Sequence, residues 1–149
     1  MPWIVLFFAS WLLFALLADR RRLGMLWYTG LAAVALQLLV DTAGIGGGLY
    51  RVADPVVALY GSSLFFTLGP ALAMGTLFGM HLPRSGPARI VNVLVWTGLF
   101  CSAECLLVDA GALVYRHWSK LGSAAVNLVT FTVLSALAAL REARFRAAS

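Results

Sequence analysis

The sequence predicts an all-α membrane protein whose fold is a compact bundle of five transmembrane helices in a single domain. Of its 149 residues, 62% are hydrophobic and only 11% are charged, whereas a soluble domain carries roughly a quarter charged residues. The hydrophobic residues form five runs, each close to the roughly 20 residues that a helix needs to cross a hydrocarbon core. The other residues suffice only for short loops. The predicted spans cover residues 3–18, 23–40, 56–80, 90–108 and 121–140.

A short basic segment separates the first two spans. Span one ends at Asp19, which an arginine triplet at residues 20–22 follows. Because these charges follow the apolar run and no basic residue precedes it, the run predicts a retained helix rather than a cleaved signal peptide. Span two ends near Asp41. Residues 42–55 are rich in glycine and predict a loop, because glycine at this density breaks helices.

The last three spans are separated by loops that contain proline, basic and aromatic residues. Span three has Gly69 and Pro70 near its middle. Proline removes a backbone donor and clashes with the preceding turn, so a kink is predicted there. Residues 81–89 form the loop before span four, and residues 115–118 belong to the loop before span five.

The distribution of basic residues predicts the orientation of the bundle. With the N-terminus outside, the external segments contain only Arg51, Arg116 and Lys120. The cytoplasmic segments then contain Arg20, Arg21, Arg22, Arg84, Arg89, Arg141, Arg144 and Arg146. Because cytoplasmic loops carry the excess of Lys and Arg, the C-terminus is predicted to be cytoplasmic. We therefore expect a multi-pass protein of the cell membrane, the inner membrane in a bacterium.

The expected partners follow from the same charges. The net charge is +5, and basic residues beside spans fix orientation and meet anionic lipid. Membrane lipids are therefore expected partners. The sequence has no separate basic arm and no nucleic-acid module, so nucleic acid is not an expected partner.

Span three carries small residues at a four-residue spacing, namely Ala71, Gly75 and Gly79. Such a stripe lets another helix approach closely. Two interpretations stay open at this point: packing inside the bundle, or a homodimer formed through the stripe. No internal repeat is apparent, and an odd number of spans does not suggest two equal inverted halves.

Glu104 is the main candidate for a functional side chain. It lies in span four, about 20 Å from the predicted cytoplasmic edge at 1.5 Å per residue. A carboxylate that faces lipid is costly, so Glu104 is expected to face the bundle interior, where it would be protonated, hydrogen-bonded or paired. Asn127 is deep enough in span five to share that interior. Asp41, at the end of span two, is predicted to lie on the same side of the membrane.

Four other residues are candidates because the predicted topology places them on that outer side: Asp109, Arg51, Arg116 and His117. Together with the first three they define an outward-facing polar pocket that binds a ligand. His117 would act as a general base if it lay near a carboxylate, although an exposed interfacial histidine is the more common case. No metal-ligand spacing or cofactor motif occurs, so neither a metal nor a cofactor is predicted.

Several residues occur in an order that resembles the sequence pattern of a known family. They are Trp11 early in span one, Asp41 at the end of span two, Pro70 followed by His81-Leu82-Pro83-Arg84, and Glu104 followed by Trp118-Ser119 and Asn127. This layout resembles an uncharacterised family of small five-span membrane proteins found mainly in spore-forming bacteria, although this chain is richer in alanine and glycine than typical members. The resemblance implies a shared five-span fold and no particular catalysis.

The leading functional hypothesis is a non-enzymatic protein that binds a lipid or another hydrophobic small molecule in the outward-opening pocket. Glu104, Asp41 and Asn127 would be its polar anchors, because such sites combine apolar walls with a few convergent polar groups. Three alternatives stay open. The first is an enzyme acting on lipid or isoprenoid substrates, with Arg51 or Arg116 holding a phosphate. The others are a proton-coupled transporter that uses Glu104 and a structural or partner-binding role.

Overall fold

A computed structural model of the protein describes the backbone of residues 1–148 and the side chains of residues 1–19 and 27–144. Within these residues the chain is mostly helical. The five helices are α1 (Pro2–Leu17), α2 (Arg20–Gly46), α3 (Leu64–Met80), α4 (Gly86–Asp109) and α5 (Lys120–Ala148). The four short strands are β1 (Tyr50–Val52), β2 (Ala58–Leu59), β3 (Ser62–Ser63) and β4 (Leu113–Tyr115).

Three of the helices in the described part of the chain are long and apolar enough to cross a membrane. The qualifying segments are Trp27–Gly46, Gly86–Asp109 and Lys120–Arg144. The other two helices, α1 and α3, are apolar but shorter. The structure thus supports a helical membrane protein with three helices of spanning length, and the five-span arrangement stays a prediction.

Two boundaries predicted from the sequence were wrong. The glycine-rich loop was expected to start at residue 42, but α2 continues to Gly46. Gly44 fits this helix because a side chain there would collide with the ring of Tyr50, and this packing offsets the roughly 1 kcal/mol that glycine costs in a helix. Span three was expected to start at residue 56, but residues 58–63 form the antiparallel β2–β3 hairpin. Positive φ angles at Val56 and Tyr60 are incompatible with a helix.

Helix α3 lies at the centre of the bundle, and every residue from Ala73 to Met80 is buried. Its stripe of small residues packs against α2. A β-carbon added to Gly75 would overlap Ala33, and one added to Gly79 would overlap Thr29. Since Ala71 is buried as well, the stripe is used for packing inside the chain, the first of the two interpretations.

Pro70 distorts α3 without ending it. The helix contains a π-helical segment at Thr67–Ala71, and the amide of Leu72 reaches back to the carbonyl of Thr67. Proline has no amide hydrogen for the regular ladder, and a π-bulge is one way in which a helix accommodates the missing bond. The kink at Pro70 stays a prediction, whereas the structure shows a π-helical segment there through which the helix is continuous.

The outward faces of the other helices are apolar. Large hydrophobic side chains are exposed on α1, α2, α4 and α5, among them Phe8, Leu16, Leu39, Leu94, Leu106 and Val129. A soluble monomer rarely exposes apolar patches that extend over several helices. Contact with lipid hydrocarbon explains this surface.

One end of the bundle is covered by a ribbon made of β1 and β4. The two strands are antiparallel, and Arg51 lies opposite Val114 at the middle of the ribbon. The ribbon joins the α2–α3 connection to the α4–α5 connection. At the start of α1, the indole of Trp3 donates a hydrogen bond to the carbonyl of Ala53 at 2.9 Å. We call this the ribbon end of the bundle.

Candidate functional site

A cavity lies at the ribbon end, between the last turns of α2 and α4 and the first turns of α5. It offers about 40 Å³ to water-sized groups, which is room for roughly two or three of them. Its polar lining consists of Gln37, Asp41, Tyr50, Ser62, Glu104, Ser123 and Asn127. Its apolar lining includes Trp3, Phe66, Phe100, Leu107, Leu113 and Trp118.

Asp41 is held on the α2 side of the cavity by two hydroxyl donors. Tyr50 Oη donates to Asp41 Oδ1 at 2.7 Å, and Ser62 Oγ donates to Asp41 Oδ2. All three side chains are buried, and Asp41 is only 6% exposed. Tyr50 reaches the carboxylate because β1 follows α2 after a short turn and Gly44 leaves room for the tyrosine ring. Asp41 therefore has a hydrogen-bond donor on each oxygen.

Glu104 occupies the corresponding place on the α4 side. Its Oε1 accepts hydrogen bonds from Tyr115 Oη at 2.9 Å and from Ser123 Oγ, and its Oε2 accepts one from Asn127 Nδ2 at 2.9 Å. The indole of Trp118 donates to Ser123 Oγ at 3.1 Å. Glu104 itself is only half-buried. This carboxylate is therefore well bonded but more accessible than Asp41.

The two tyrosines connect the two carboxylates. Tyr50 pairs with Tyr115 in the ribbon, and their ring centroids are 6.5 Å apart. Burial raises the pKa of Tyr50 far above its usual range, and the Asp41 carboxylate raises it further. Burial also raises the pKa of Tyr115, with the Glu104 carboxylate acting in the same direction and the hydrogen bond with Ser123 in the opposite one. Both phenols consequently stay protonated at neutral pH and remain donors.

The described lining of the cavity contains acidic side chains but no basic ones. Its lining contains the carboxylates of Asp41 and Glu104, and among the side chains that the structure describes no Lys, Arg or His lines it. Buried charges in proteins are normally paired with an opposite charge. The hydrogen-bond donors that the structure describes on Asp41 and Glu104 are all neutral side chains, so no basic group in the described lining pairs with either acid.

Aromatic rings form much of the remaining wall. Trp3 and Phe66 meet edge to face with centroids 6.0 Å apart, and Phe66 lies 5.6 Å from Phe100. On the other side the ring of Trp118 lies 6.1 Å from that of Tyr50. The faces of aromatic rings attract cations, Trp most strongly. Aromatic walls beside two acidic side chains are chemically compatible with a positively charged ligand group.

A second, smaller cavity lies deeper in the bundle. It offers about 20 Å³, and Gln37, Phe100 and Asn127 line both cavities. The rest of its lining is mainly apolar and includes Gly75 and Phe131. The polar site thus has an apolar extension toward the middle of the bundle.

The four other predicted site residues lie outside the cavity. Asp109 is exposed and forms an ion pair with Lys120 at 4.0 Å. Arg51 is exposed on β1 next to the inward-facing Tyr50, because side chains alternate along a strand. Arg116 and His117 are exposed, and both of their backbone amides donate to Leu49 O at 2.9 Å. The structure therefore brings together Asp41, Glu104 and Asn127 but not these four.

Three of the hydroxyl donors that hold the carboxylates were not predicted from the sequence. Tyr50, Tyr115 and Ser123 were not candidates, because loop tyrosines and helix serines are common in membrane proteins. One signal was available. Each carboxylate precedes a tyrosine by nine or eleven residues, and each tyrosine is followed by a serine that bonds the same carboxylate.

Comparisons of the chain with protein-family models, with curated proteins and with solved structures give no match. The resemblance to the five-span family accordingly stays a prediction. Among the residues that the structure describes, no three His, Cys, Asp or Glu side chains are grouped so that they could hold a metal ion.

Proposed function

We propose that this protein is a five-span protein of the cell membrane that binds the positively charged head of a hydrophobic amine in the cavity at the ribbon end. The observation that carries the proposal is the convergence of Asp41 and Glu104, from two different helices, on one aromatic-walled cavity. Each carboxylate keeps free lone pairs after accepting its protein hydrogen bonds, since an ionised carboxylate has about four acceptor sites. An ammonium group would supply the missing positive charge.

The size of the cavity decides which part of the ligand it holds. About 40 Å³ is far below the 300 Å³ or more that a pocket for a whole drug-sized molecule needs. An ammonium head and its first carbons fit this space, whereas an acyl chain does not. The hydrophobic remainder of the ligand would leave through the opening and lie against apolar surface. The hypothesis of a pocket that binds a lipid or another hydrophobic small molecule is thereby narrowed: the cavity would hold only the small polar head of the ligand.

The five-span topology rests on the packing of the two shorter helices. α1 has 16 residues, about 24 Å at 1.5 Å per residue, and α3 is surrounded by the other helices. Both pack against helices of spanning length, and modest mismatch is accommodated by local thinning of the bilayer. The arginines at 84, 89, 141 and 144 gather at the end away from the ribbon. This end is assigned to the cytoplasm and the ribbon end to the outside.

The enzyme hypothesis has less support from the site. It needed a base beside a carboxyl group and an arginine to hold a phosphate. His117, Arg51 and Arg116 are exposed on the outer surface of the ribbon end and do not line the cavity. The carboxylates of the cavity would also repel a phosphate. Ligand binding therefore remains the better proposal.

A proton-coupled transporter is the second candidate, and the deeper cavity favours it. Gln37 and Asn127 line both cavities, so a ligand head or a proton at Glu104 would have a polar route inward. This function predicts ligand uptake into proteoliposomes that depends on the pH difference across the membrane. Uptake that is the same in the native protein and in Glu104→Gln would remove this candidate.

The proposed function is tested by the small molecules that co-purify with the protein in lipid nanodiscs. Three proteins are compared by mass spectrometry: the native chain, Glu104→Gln, and Asp109→Asn as a control on the same helix. We expect a hydrophobic amine to be enriched with the native chain and the control and to be depleted from Glu104→Gln. An enriched compound that is anionic, or that is retained equally by all three proteins, would reject the proposal.

A further inference from the structure

A groove on the membrane-facing surface lies between α4 and α5, at the end of the bundle away from the ribbon. It offers about 250 Å³ to water-sized groups and is lined by Arg89, Ile90, Val93, Leu94, Leu128, Thr132 and Ser135. We call it the α4–α5 groove. It shares no lining residue with the cavity at the ribbon end, and its interpretation does not depend on the function proposed above.

The wall of the groove is apolar and open to the surroundings. Ile90 is 64% exposed and Leu94 55% exposed, as expected of side chains that face lipid. Thr132 Oγ1 donates to the carbonyl of Leu128 at 2.7 Å, so its polar group is satisfied within the helix. The small side chains of Thr132 and Ser135 leave the space that larger residues would fill. The groove thus has the shape and polarity that suit a hydrocarbon chain.

Arg89 gives one end of the groove a positive charge. Its Nε donates to Pro83 O at 2.8 Å, which fixes the guanidinium beside the α3–α4 loop. Within the part of the chain that the structure describes, its other guanidinium donors have no protein partner. An arginine presents several such donors in a rigid fork that matches a phosphate. Basic pockets between helices on the cytoplasmic side of membrane proteins bind anionic lipid headgroups.

We propose that the α4–α5 groove binds an anionic phospholipid, with one acyl chain between α4 and α5 and the headgroup phosphate on Arg89. Charge complementarity selects this occupant. A zwitterionic lipid would bring its own positive charge close to Arg89, and an apolar protein helix would leave the guanidinium unpaired. The exposed Arg84 lies in the adjacent loop but does not line the groove, so it is a matched control for charge.

The proposal is tested by native mass spectrometry of the purified full chain after equilibration with phosphatidylglycerol or with phosphatidylcholine. We expect the native chain to retain one phosphatidylglycerol in preference to phosphatidylcholine. In Arg89→Gln the ratio of retained phosphatidylglycerol to retained phosphatidylcholine should be about fivefold lower. Arg84→Gln should behave like the native chain. Equal retention of the two lipids by the native chain, or an equal loss of preference in Arg84→Gln and Arg89→Gln, would overturn the proposal.

Two further variants separate binding from a disturbed loop. Arg89→Lys keeps the charge but removes the guanidinium fork and its bond to Pro83, so it should retain part of the preference for phosphatidylglycerol. Ser135→Leu leaves Arg89 in place but fills the groove, so it should reduce retention of the lipid. A preference lost in Arg89→Lys as fully as in Arg89→Gln, or retention unchanged in Ser135→Leu, would contradict the assignment. A chain dimer that forms through the groove and excludes lipid would also overturn it.

Discussion

Two parts of the molecule use the same residue types in the same order. In the first unit, which comprises α2, β1 and α3, Asp41 is bonded by Tyr50 and by Ser62 just before α3. In the second unit, which comprises α4, β4 and α5, Glu104 is bonded by Tyr115 and by Ser123 in the first turn of α5. Both acids lie five residues before the end of their helix. The tyrosines pair directly with each other in the ribbon.

The two units differ in how deeply their polar side chains are buried and in how tightly their helices pack. Asp41, Tyr50 and Ser62 are all buried, whereas Glu104 and Tyr115 are only half-buried. The helices of the first unit approach closely at glycines of α2 and α3, while the glycine at position 98 of α4 has open space beside it. The α4–α5 groove lies in the second unit. The comparison indicates that the first unit is the more tightly packed of the two.

The largest expected effect is the loss of a carboxylate. Asp41→Ala would leave the buried Ser62 hydroxyl without an acceptor and Tyr50 Oη with only the carbonyl of Val40 at 3.4 Å, at a cost of about 3 kcal/mol in the free energy of unfolding. Glu104→Ala should cost about half as much, because Glu104 is itself only half-buried and water can reach the space that its side chain leaves. Reversible unfolding in mixed micelles, followed by circular dichroism, measures both values. A larger cost for Glu104→Ala than for Asp41→Ala would contradict the interpretation that the first unit is the more tightly packed one.

Glycine substitutions test the difference in helix packing. Gly75→Ala should lower the free energy of unfolding by about 2 kcal/mol, because the new methyl group would overlap Ala33. Gly98→Ala is the matched control in the second unit. Nothing lies within 4 Å of its added β-carbon, so it should raise helix stability by about 0.5 to 1 kcal/mol. Similar losses in both variants would show that the two units are packed equally tightly.

Removal of the phenolic hydroxyls should have a smaller effect. Tyr50→Phe removes a buried hydrogen bond to Asp41 and should cost about 1.5 kcal/mol, whereas Tyr115→Phe should cost about 0.5 kcal/mol. In the second unit Ser123 and Asn127 still donate to Glu104. The same unfolding measurement applies, with Tyr60→Phe as a control at an exposed tyrosine. Equal losses of stability in Tyr50→Phe and Tyr115→Phe would contradict the expectation that the remaining donors to Glu104 compensate for the lost Tyr115 hydroxyl.

Alkaline pH gives the smallest and most specific effect. Burial raises the pKa of Tyr50 and Tyr115 in the folded chain, whereas an unfolded tyrosine ionises near pH 10. Above pH 10 the unfolded chain therefore binds fewer protons than the folded chain, and the free energy of unfolding falls as pH rises. Tyr50→Phe should flatten this dependence more than Tyr115→Phe does. A dependence that is unchanged in both variants would mean that other groups cause it.

The helical content of the fold was predictable because apolar runs of about 20 residues have few alternatives in a membrane. The connections were not predictable, because their structure depends on contacts distant in the sequence. Gly44 in α2 packs against the ring of Tyr50, a contact that the local sequence does not indicate. Residues 58–63 look like the start of an apolar helix, but Ser62 and Ser63 are buried in a hairpin where Ser62 bonds Asp41.

The site could be predicted in part for the same reason. A carboxylate and an amide in apolar helices must face the bundle interior, which is why Glu104 and Asn127 were found from the sequence. The loop residues Arg51, Arg116 and His117 had no such constraint. Pairing of β1 with β4 places Tyr50 on the inner face and Arg51 on the outer face. That pairing joins residues about 60 positions apart, and no local pattern indicates it.

We propose that Asp41 and Glu104 together select a cationic head. The most direct test is the affinity of the protein, in zwitterionic nanodiscs at pH 7, for dodecylamine compared with dodecanol. The two probes share one chain, and an alkylamine is protonated at this pH, as a lysine side chain is. We predict that the native chain and Asp109→Asn bind dodecylamine at least about tenfold more tightly than dodecanol, whereas Asp41→Asn/Glu104→Gln does not. Equal affinities for the two probes in the native chain, or a preference for the amine that survives in the double variant, would contradict the account.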